Sequence, residues 1–545
     1  MATAIFLVSL TLTFGFATIF FGATVTEVDS LLAFKRNLND PLGVLDGWDA
    51  STPLAPCDWR GVGCYFSRVD QLRLPRLQLT GVLSPELGKL RQLRRLSLHS
   101  NHFHGSIPRS FTELSLIRAL YLHNNSLSGD VPPGILSLSN LQIVNLAGND
   151  LSGRISGGIS PSLRVLDLSY NNFSGLVPAN FSESLQLTLI NLSSNRFSGE
   201  IPASIGALKR LQYLWLDSNL LVGTLPSAIL NCTSLVHISA EDNFISGNIP
   251  ATIGAMPELE VLSLTSNKLS GVVPASVFCN VSNPRSLRFV FLGFNALTGI
   301  AKPPNGCTFR SGLEVLDLHG NRIVGEFPDW VADIPTLRVL DLSGNLFTGS
   351  LFANFGNLMN LREFRVANNS LKGQVPKEIG QCSMKKQILG LIDFDVGSIQ
   401  SLEVLNLSEN ELTGVVPNEV LQLTNLTTLN LSFNNFSGHV PVEVGDLKSL
   451  AVLNLSHCGF SGSIPSSIGS LMRLRVLDLS KQRLSGNFPA ELFGLPNLEA
   501  VALQENDLHG DIIEGFSSLV GLRYLNLSSN SLSGDIPATF GFLGP

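Results

Sequence analysis

A motif of about 24 residues recurs along nearly the whole chain, and a fixed period of that length points to a solenoid of stacked coils. LQYLWLDSNLLVGTLP (211–226), LEVLDLHGNRIVGEFP (313–328) and LRYLNLSSNSLSGDIP (522–537) share the pattern L-x-x-L-x-L-x-x-N-x-L/F/I-x-G-x-x-P. The asparagine marks the phase. It recurs as Asn101, Asn125, Asn149, Asn171, Asn195, Asn219, Asn243, Asn267, Asn295, Asn321, Asn345, Asn369, Asn410, Asn434, Asn506 and Asn530. Leu77, Cys458 and Gln482 stand in at three further stations, which makes nineteen coils.

Each residue type in the motif has a physical task. L-x-x-L-x-L is a strand signal, because alternate side chains point to opposite faces. The leucines pack on those of neighbouring coils, and the x residues face outward. The asparagine sits where the strand turns a corner, and its amide offers two donors and an acceptor to backbone groups left without strand partners. Gln482 is longer by a methylene and predicts a locally distorted turn. The glycine that follows (Gly223, Gly325, Gly534) permits a tight bend, and the proline sets an extended segment on the side of the coil. The remainder, as in SIGALKRL (204–211), has room for one or two helical turns. One coil cannot bury its own apolar face, so stability comes from stacking.

A chain of 545 residues could hold several domains, but the repeat makes one long solenoid of it. Only 14% of residues are charged, in keeping with buried leucines and a surface of Ser, Asn, Thr and Gly. The net charge of −7, with no basic tract, argues against nucleic-acid binding. Residues 1–25 are apolar with small residues near Ala23 to Thr26 and read as a secretory signal peptide, although no Lys or Arg precedes the apolar run. No later apolar stretch is long enough to span a membrane.

Secretion agrees with thirteen Asn-x-Ser/Thr sequons, at Asn124, Asn172, Asn180, Asn191, Asn231, Asn280, Asn368, Asn406, Asn425, Asn430, Asn435, Asn454 and Asn526. Several of them fall out of the repeat consensus by themselves. Seven cysteines also fit an oxidising compartment. Cys57 and Cys64, in CDWRGVGC, are expected to pair. Cys279 and Cys307 lie 16 and 14 residues before Asn295 and Asn321, nearly the same station on adjacent coils, and are the next candidate pair. Cys232 and Cys382 read as buried free thiols.

Ahead of the first coil, EVDSLLAFKRNLNDPLGVLDGWD (27–49) reads as an amphipathic helix, an Asp-Pro turn and a Trp. With the cysteine pair this makes an N-terminal cap over residues 26–68, which the exposed edge of the first coil requires. LLAFKRNLNDPLGVLDGW, CDWRGVGC and the L-S-G-x-I-P form of the repeat together resemble the extracellular domain of plant leucine-rich-repeat receptor-like kinases, over essentially all of residues 27–545. That resemblance implies an α/β leucine-rich-repeat solenoid, a right-handed superhelix. A parallel β-sheet would line the inner face, with extended segments and short 3-10 or α turns on the outer side. It further implies an extracellular peptide or small-molecule ligand on the inner face, a cell-surface setting, and a shorter receptor kinase of the same class as co-receptor.

The chain departs from that family in three respects. No glycine-rich phosphate loop, H-R-D or D-F-G motif of a kinase occurs, and Asp393-Phe394-Asp395 is no substitute. The repeats (69–545) run to ATFGFLGP without a C-terminal cap or membrane helix, which reads as a truncated form. Asn369 to Asn410 spans 41 residues where two periods would take 48, so seven residues read as missing around Met384–Ile392, and the irregularity covers 384–395.

Most outward strand positions carry bland residues, as in the recurring VLDLS and VLNLS. Coils seven to ten differ. They carry Tyr213, Trp215 and Asp217; His237, Ser239, Glu241 and Asp242; Ser263 and Thr265; and Phe289, Phe291 and Phe294. Stacking predicts one column of aromatics edged by carboxylates, an anchor of the type that carries binding energy. Between Asn191 and Asn368 the only sequons, Asn231 and Asn280, lie away from the strand, so the patch is a glycan-free window. A second, smaller patch is His99, Tyr121 and His123, which could read anionic groups at acidic pH. Asp167, Asp317 and Asp341 recur at one strand station as consensus residues. No catalytic, metal or cofactor constellation is visible. The competing function is that of a secreted inhibitor of a microbial cell-wall-degrading enzyme, built on the same repeat at about half the length.

Overall fold

The computed structural model describes residues 25–278, 287–304, 312–383, 402–512, 514–536 and 538. The described residues divide into two compact units, one up to Phe173 and one from Ser174 onward.

The first unit opens with the helix Val25–Arg36. Glu27 lies in its first turn and Lys35 and Arg36 in its last, the charge order that suits the helix dipole. Glu27, Ser30, Leu31 and Phe34 form its buried stripe, at the spacing of one helical face. The Phe34 ring packs on Phe103, centroids 6.0 Å apart. Burying the Glu27 carboxylate demands compensation, and it comes from Arg68 at 2.8 Å and from the Val69 N–H at 3.1 Å. Trp48 stacks on Trp59 at 5.2 Å, and their indole N–H groups donate to the Arg60 and Asp49 carbonyls. A disulfide joins Cys57 to Cys64. Strand Val62–Tyr65 runs antiparallel to Arg68–Arg73, which is followed in parallel by Arg95–Ser97, Ala119–Tyr121, Ile143–Asn145 and Val165–Asp167.

The second unit continues the pattern with fourteen inner strands, from Leu189–Asn191 to Tyr524–Asn526, each of three residues. They pair in parallel and in straight register, so Trp215 lies opposite Asn191 on one side and Ser239 on the other. The middle residue of every strand but Tyr524–Asn526 is buried, and in most strands neither flank is, the signature of one packed and one open face. After the bend a second extended segment pairs with its neighbours on the outer side, and a 3-10 turn such as Ala203–Ala207 closes the coil. Pro202 caps that turn at φ −67°, where its ring already holds it. Truncating an inward leucine such as Leu214 would cost about 2–5 kcal/mol.

Asparagines hold the corners. Asn219, 5% exposed, donates from Nδ2 to the carbonyls of Leu192, Leu216 and Asp217, each at 3.0 Å. Its Oδ1 accepts from the Phe197 N–H at 2.9 Å. The residue just before each ladder asparagine is left-handed in many coils without being glycine, as at Ser218 (φ +51°), Asp242 (+50°) and Phe294 (+50°). The distortion expected at Gln482 does not occur. Lys481 before it keeps φ +54°, Gln482 Oε1 accepts from Phe460 N at 3.0 Å, and Nε2 donates to Leu455 O. The longer side chain folds into the corner and makes both of the bonds to the preceding coil that a ladder asparagine makes.

The reading of Asn369 to Asn410 as two periods lacking seven residues is also corrected. Strand Glu363–Arg365 pairs directly with Val404–Asn406, and Asn410 reaches the Val366 carbonyl at 3.0 Å. A single enlarged coil therefore joins them. The 41-residue step carries 17 residues more than one period (41 − 24), rather than lacking seven of two. The irregular stretch 384–395 lies outside the described residues, as do Cys279, Cys307 and the side chain of Cys382. The Cys232 thiol is buried, donates to Ile205 O at 3.1 Å, and is pushed up to about 11 by burial.

Candidate ligand-binding face

The outward residues of coils seven to ten come together on the inner sheet in two rows. One runs Tyr213, His237, Val261, Phe289, and the other Trp215, Ser239, Ser263, Phe291. The aromatics therefore do not form the single column that the sequence predicts. Two strands, with His237, Val261, Ser239 and Ser263 on them, separate the Tyr213–Trp215 pair from Phe289 and Phe291. Three strand steps place the two groups about 14 Å apart.

At one shoulder Tyr213 stacks on Trp215 at 5.4 Å, and the His237 edge meets Trp215 at 5.6 Å. Burial pushes the His237 imidazole below its usual range, against the pull of Asp217. At the other shoulder Arg288 lies over Phe289 at 5.1 Å and is held by Glu314. Phe294 is 58% exposed, and its edge contact with His319 is 4.4 Å.

Between the shoulders the floor is polar and already organised. Asp217 accepts from the Ser193 hydroxyl at 3.1 Å, from the Ser239 hydroxyl, and from Glu241 N at 2.9 Å. Glu241 accepts in the same way from the Ser263 hydroxyl. Ser239 and Ser263, expected to be outward contact residues, are thus buried at 5% and 3% exposure. The longer carboxylate of the preceding coil lies across each of them and takes its hydrogen. Asp242 is exposed and Thr265 half-buried, at the edge of this floor.

One neighbouring group escaped the sequence reading. In coil eleven the usual D-L-S becomes Asp317-Leu318-His319, and the ring nitrogen Nδ1 of His319 bonds Asp317 Oδ1. That hydrogen bond raises the His319 pKa. With Asp341 opposite Asp317 in register, the three side chains bring a ligand atom each within 4.8 Å of one another, the one such trio found among the described residues. The signal was the replacement of a consensus serine by histidine.

Sequons Asn191, Asn406, Asn430, Asn454 and Asn526 end their inner strands, and each Oδ1 accepts the N–H two residues on, at 3.0–3.2 Å. Asn231 is exposed at the end of an outer 3-10 turn, and Asn280 lies outside the described residues. The face itself is open. A cavity of about 610 Å³, lined by Lys372, Glu411, Phe433 and His457 among others, lies several coils away. In the first unit His99, Tyr121 and His123 also meet, with the two imidazoles stacked at 4.2 Å.

Comparison with known proteins matches residues 26–65 to a "Leucine rich repeat N-terminal domain". It matches 91–151 and 161–221 to "Leucine rich repeat", 312–334 and 336–358 to "Leucine Rich Repeat", and 394–539 to "Leucine-rich repeat region". Among solved structures, the Arabidopsis receptor kinase HAESA, in complex with the peptide hormone IDA and the co-receptor SERK1, is 30% identical with a TM-score of 0.71. The alignment covers 95% of this chain and 88% of that one. The ectodomain of GASSHO1/SCHENGEN3 from Arabidopsis thaliana, in complex with CASPARIAN STRIP INTEGRITY FACTOR 2, is 30% identical with a TM-score of 0.73 and coverage of 93% and 64%. The "Probable inactive leucine-rich repeat receptor kinase XIAO" of Oryza sativa subsp. japonica is 51% identical over 77 residues. That match spans 14% of this chain and only 7% of the rice protein. No helix among the described residues is long and apolar enough to cross a membrane.

Proposed function

This chain belongs to the leucine-rich-repeat family of plant receptor ectodomains, and from that premise we propose that it is the ligand-recognition part of a cell-surface receptor. It holds an extracellular peptide against the face formed by Tyr213, Trp215, Asp217, His237, Glu241, Asp242, Thr265, Phe289, Phe291 and Phe294. A shorter receptor kinase of the same repeat class serves as co-receptor. Support for peptide and co-receptor comes from relatives that carry them, such as HAESA with IDA and SERK1.

The observation that carries the choice of face is the pair of aromatic shoulders about 14 Å apart across an acidic floor. An extended peptide advances about 3.3 Å per residue, so side chains about four positions apart reach both shoulders. Polar or cationic groups between them face Asp217, Glu241 and Asp242. Partly exposed aromatic pairs beside pre-bonded carboxylates give an anchor-and-floor arrangement in which binding orders little that is not already ordered.

The test is to pan the glycosylated chain against a phage library of random peptides about nine residues long. Enriched peptides should carry apolar residues about four apart with Lys or Arg between them, and they should lose binding to Trp215→Ala/Phe291→Ala protein of unchanged melting temperature. Enrichment of the same peptides on that variant would sink the assignment.

A further inference from the structure

The first coils carry a face of the opposite character. Arg73, Arg76, Arg94, Arg95 and Arg118 all stand on or beside the inner strands, and none has a carboxylate within ion-pair distance among the described residues. The contrast lies within the same chain. At inner-face stations of the second unit, Arg288, Arg338, Arg362, Arg365 and Arg475 each pair with a glutamate. A chain of net charge −7 that leaves five arginines uncompensated on one sheet face has placed positive potential there.

The cluster is compact. Strand register sets Arg73 and Tyr121 on either side of Ser97, and the Arg76 N–H bonds the His99 carbonyl. Arg95 lies over the Tyr121 ring at 4.9 Å, and His99 stacks on His123 at 4.2 Å. Two buried nitrogens in this cluster, Arg95 Nε and His123 Nδ1, have no hydrogen-bond partner. Buried polar atoms left unmet cost free energy, and Ser343 Oγ, Arg362 Nε, His457 Nδ1 and Gln504 Oε1 in the second unit share that state, so what sets the first coils apart is arginines without carboxylates.

We propose that this face binds a carboxylate-bearing acidic peptide segment, with Arg73, Arg76 and Arg95 supplying guanidinium forks and His99 and His123 supplying protonatable donors. Guanidinium groups suit planar oxyanions, which they meet with two parallel hydrogen bonds. The bond balance of the site improves on binding, since the peptide brings acceptors and the arginines bring only donors.

Acidity is part of the site. His99 is pushed down by burial and then by Arg76 and Arg95; His123 is pushed down by burial, His99 and Arg76, with Asp167 opposing. An incoming anion favours the charged imidazolium and so raises both pKa values. The bound state then holds more protons than the free state, and affinity rises as pH falls through the interval between them.

The probe is a fluorescein-labelled Glu-Gly-Glu-Gly-Glu peptide titrated into the full glycosylated chain and into Asn124→Gln protein, because the Asn124 sequon adjoins His123. Binding should weaken about tenfold in Arg73→Gln/Arg76→Gln protein of unchanged melting temperature, whose altered side chains are exposed, and the matching Gln-Gly-Gln-Gly-Gln peptide should not bind. Affinity should rise about threefold from about pH 7.5 to about pH 5.5, and His99→Gln/His123→Gln should remove that gain. Undiminished binding in the arginine variant, equal binding of the neutral peptide, or preference for phosphatidylserine vesicles over the acidic peptide would each overturn the proposal. Trp215 and Phe291 take no part, so its failure leaves the receptor reading standing.

Discussion

Asn219 donates to the carbonyl oxygen of Leu192, 27 positions earlier, at 3.0 Å, and by that bond one coil is fastened to the one before it. The same amide satisfies two carbonyls of its own coil and one N–H of the preceding coil. Asn219→Ala leaves four backbone groups without that partner. A loss of about 1–3 kcal/mol is expected on chemical denaturation, since buried groups lose their hydrogen bonds. Asn219→Gln should lose less, because Gln482 keeps the two bonds to the preceding coil, accepting from Phe460 N and donating to Leu455 O. Equal losses for the two variants would show that the amide does not act through these bonds.

Glycines at related stations should separate sharply. A Cβ on Gly254 would fall 1.9 Å from the Ser276 carbonyl oxygen, whereas a Cβ on Gly494 meets nothing within 4 Å. Gly254→Ala should destabilise by about 1–3 kcal/mol through backbone displacement. Gly494→Ala should be neutral or stabilise by up to about 1 kcal/mol, through a less flexible unfolded chain. Melting temperatures of the two variants decide it.

His319 gives the second unit a pH-dependent contact. Its hydrogen bond to Asp317 raises the imidazole pKa above the unfolded value. The contribution to stability is therefore complete below the unfolded pKa and fades as pH rises through the folded one. Denaturation midpoints of the parent and His319→Gln should differ most at acidic pH and converge above neutrality. A difference independent of pH would remove the ion pair as its cause.

The cap should depend on its short crosslink. Cys57 and Cys64 close a loop seven positions long. A loop of that size gives about 2–3 kcal/mol in the chain-entropy account. Cys57→Ser/Cys64→Ser should lower the unfolding free energy of the first unit by that amount and quicken amide exchange around Trp48 and Trp59, while exchange around Trp215 stays unchanged.

Much of the fold was legible because a repeated residue repeats its environment. The sequence motif located the inner strands, the ladder stations and the bends at Gly223 and Gly534 by period alone. What escaped it were features with no side-chain signature or with a cause in the next coil. The left-handed residue before the ladder is Ser218 in one coil, Asp242 in another and Phe294 in a third, since the backbone bonds around it impose φ whatever the side chain. That conformation costs about 1–3 kcal/mol per non-glycine residue, which the surrounding bonds offset. Ser239 and Ser263 looked outward by periodicity. Their burial depends on the reach of Asp217 and Glu241, which no single-coil pattern contains. The enlarged coil between Asn369 and Asn410 was misread because spacing counts residues, whereas pairing between Glu363–Arg365 and Val404–Asn406 counts layers.

The ladder makes each turn of this molecule an interchangeable part. Each corner held by asparagine asks the adjoining layer for the same carbonyl and the same amide, so a layer bearing Trp215 could be exchanged for one bearing a bland VLNLS without retooling its neighbours. Recognition can thus be rewritten plank by plank along the inner wall, while the joinery that keeps the wall standing is left untouched.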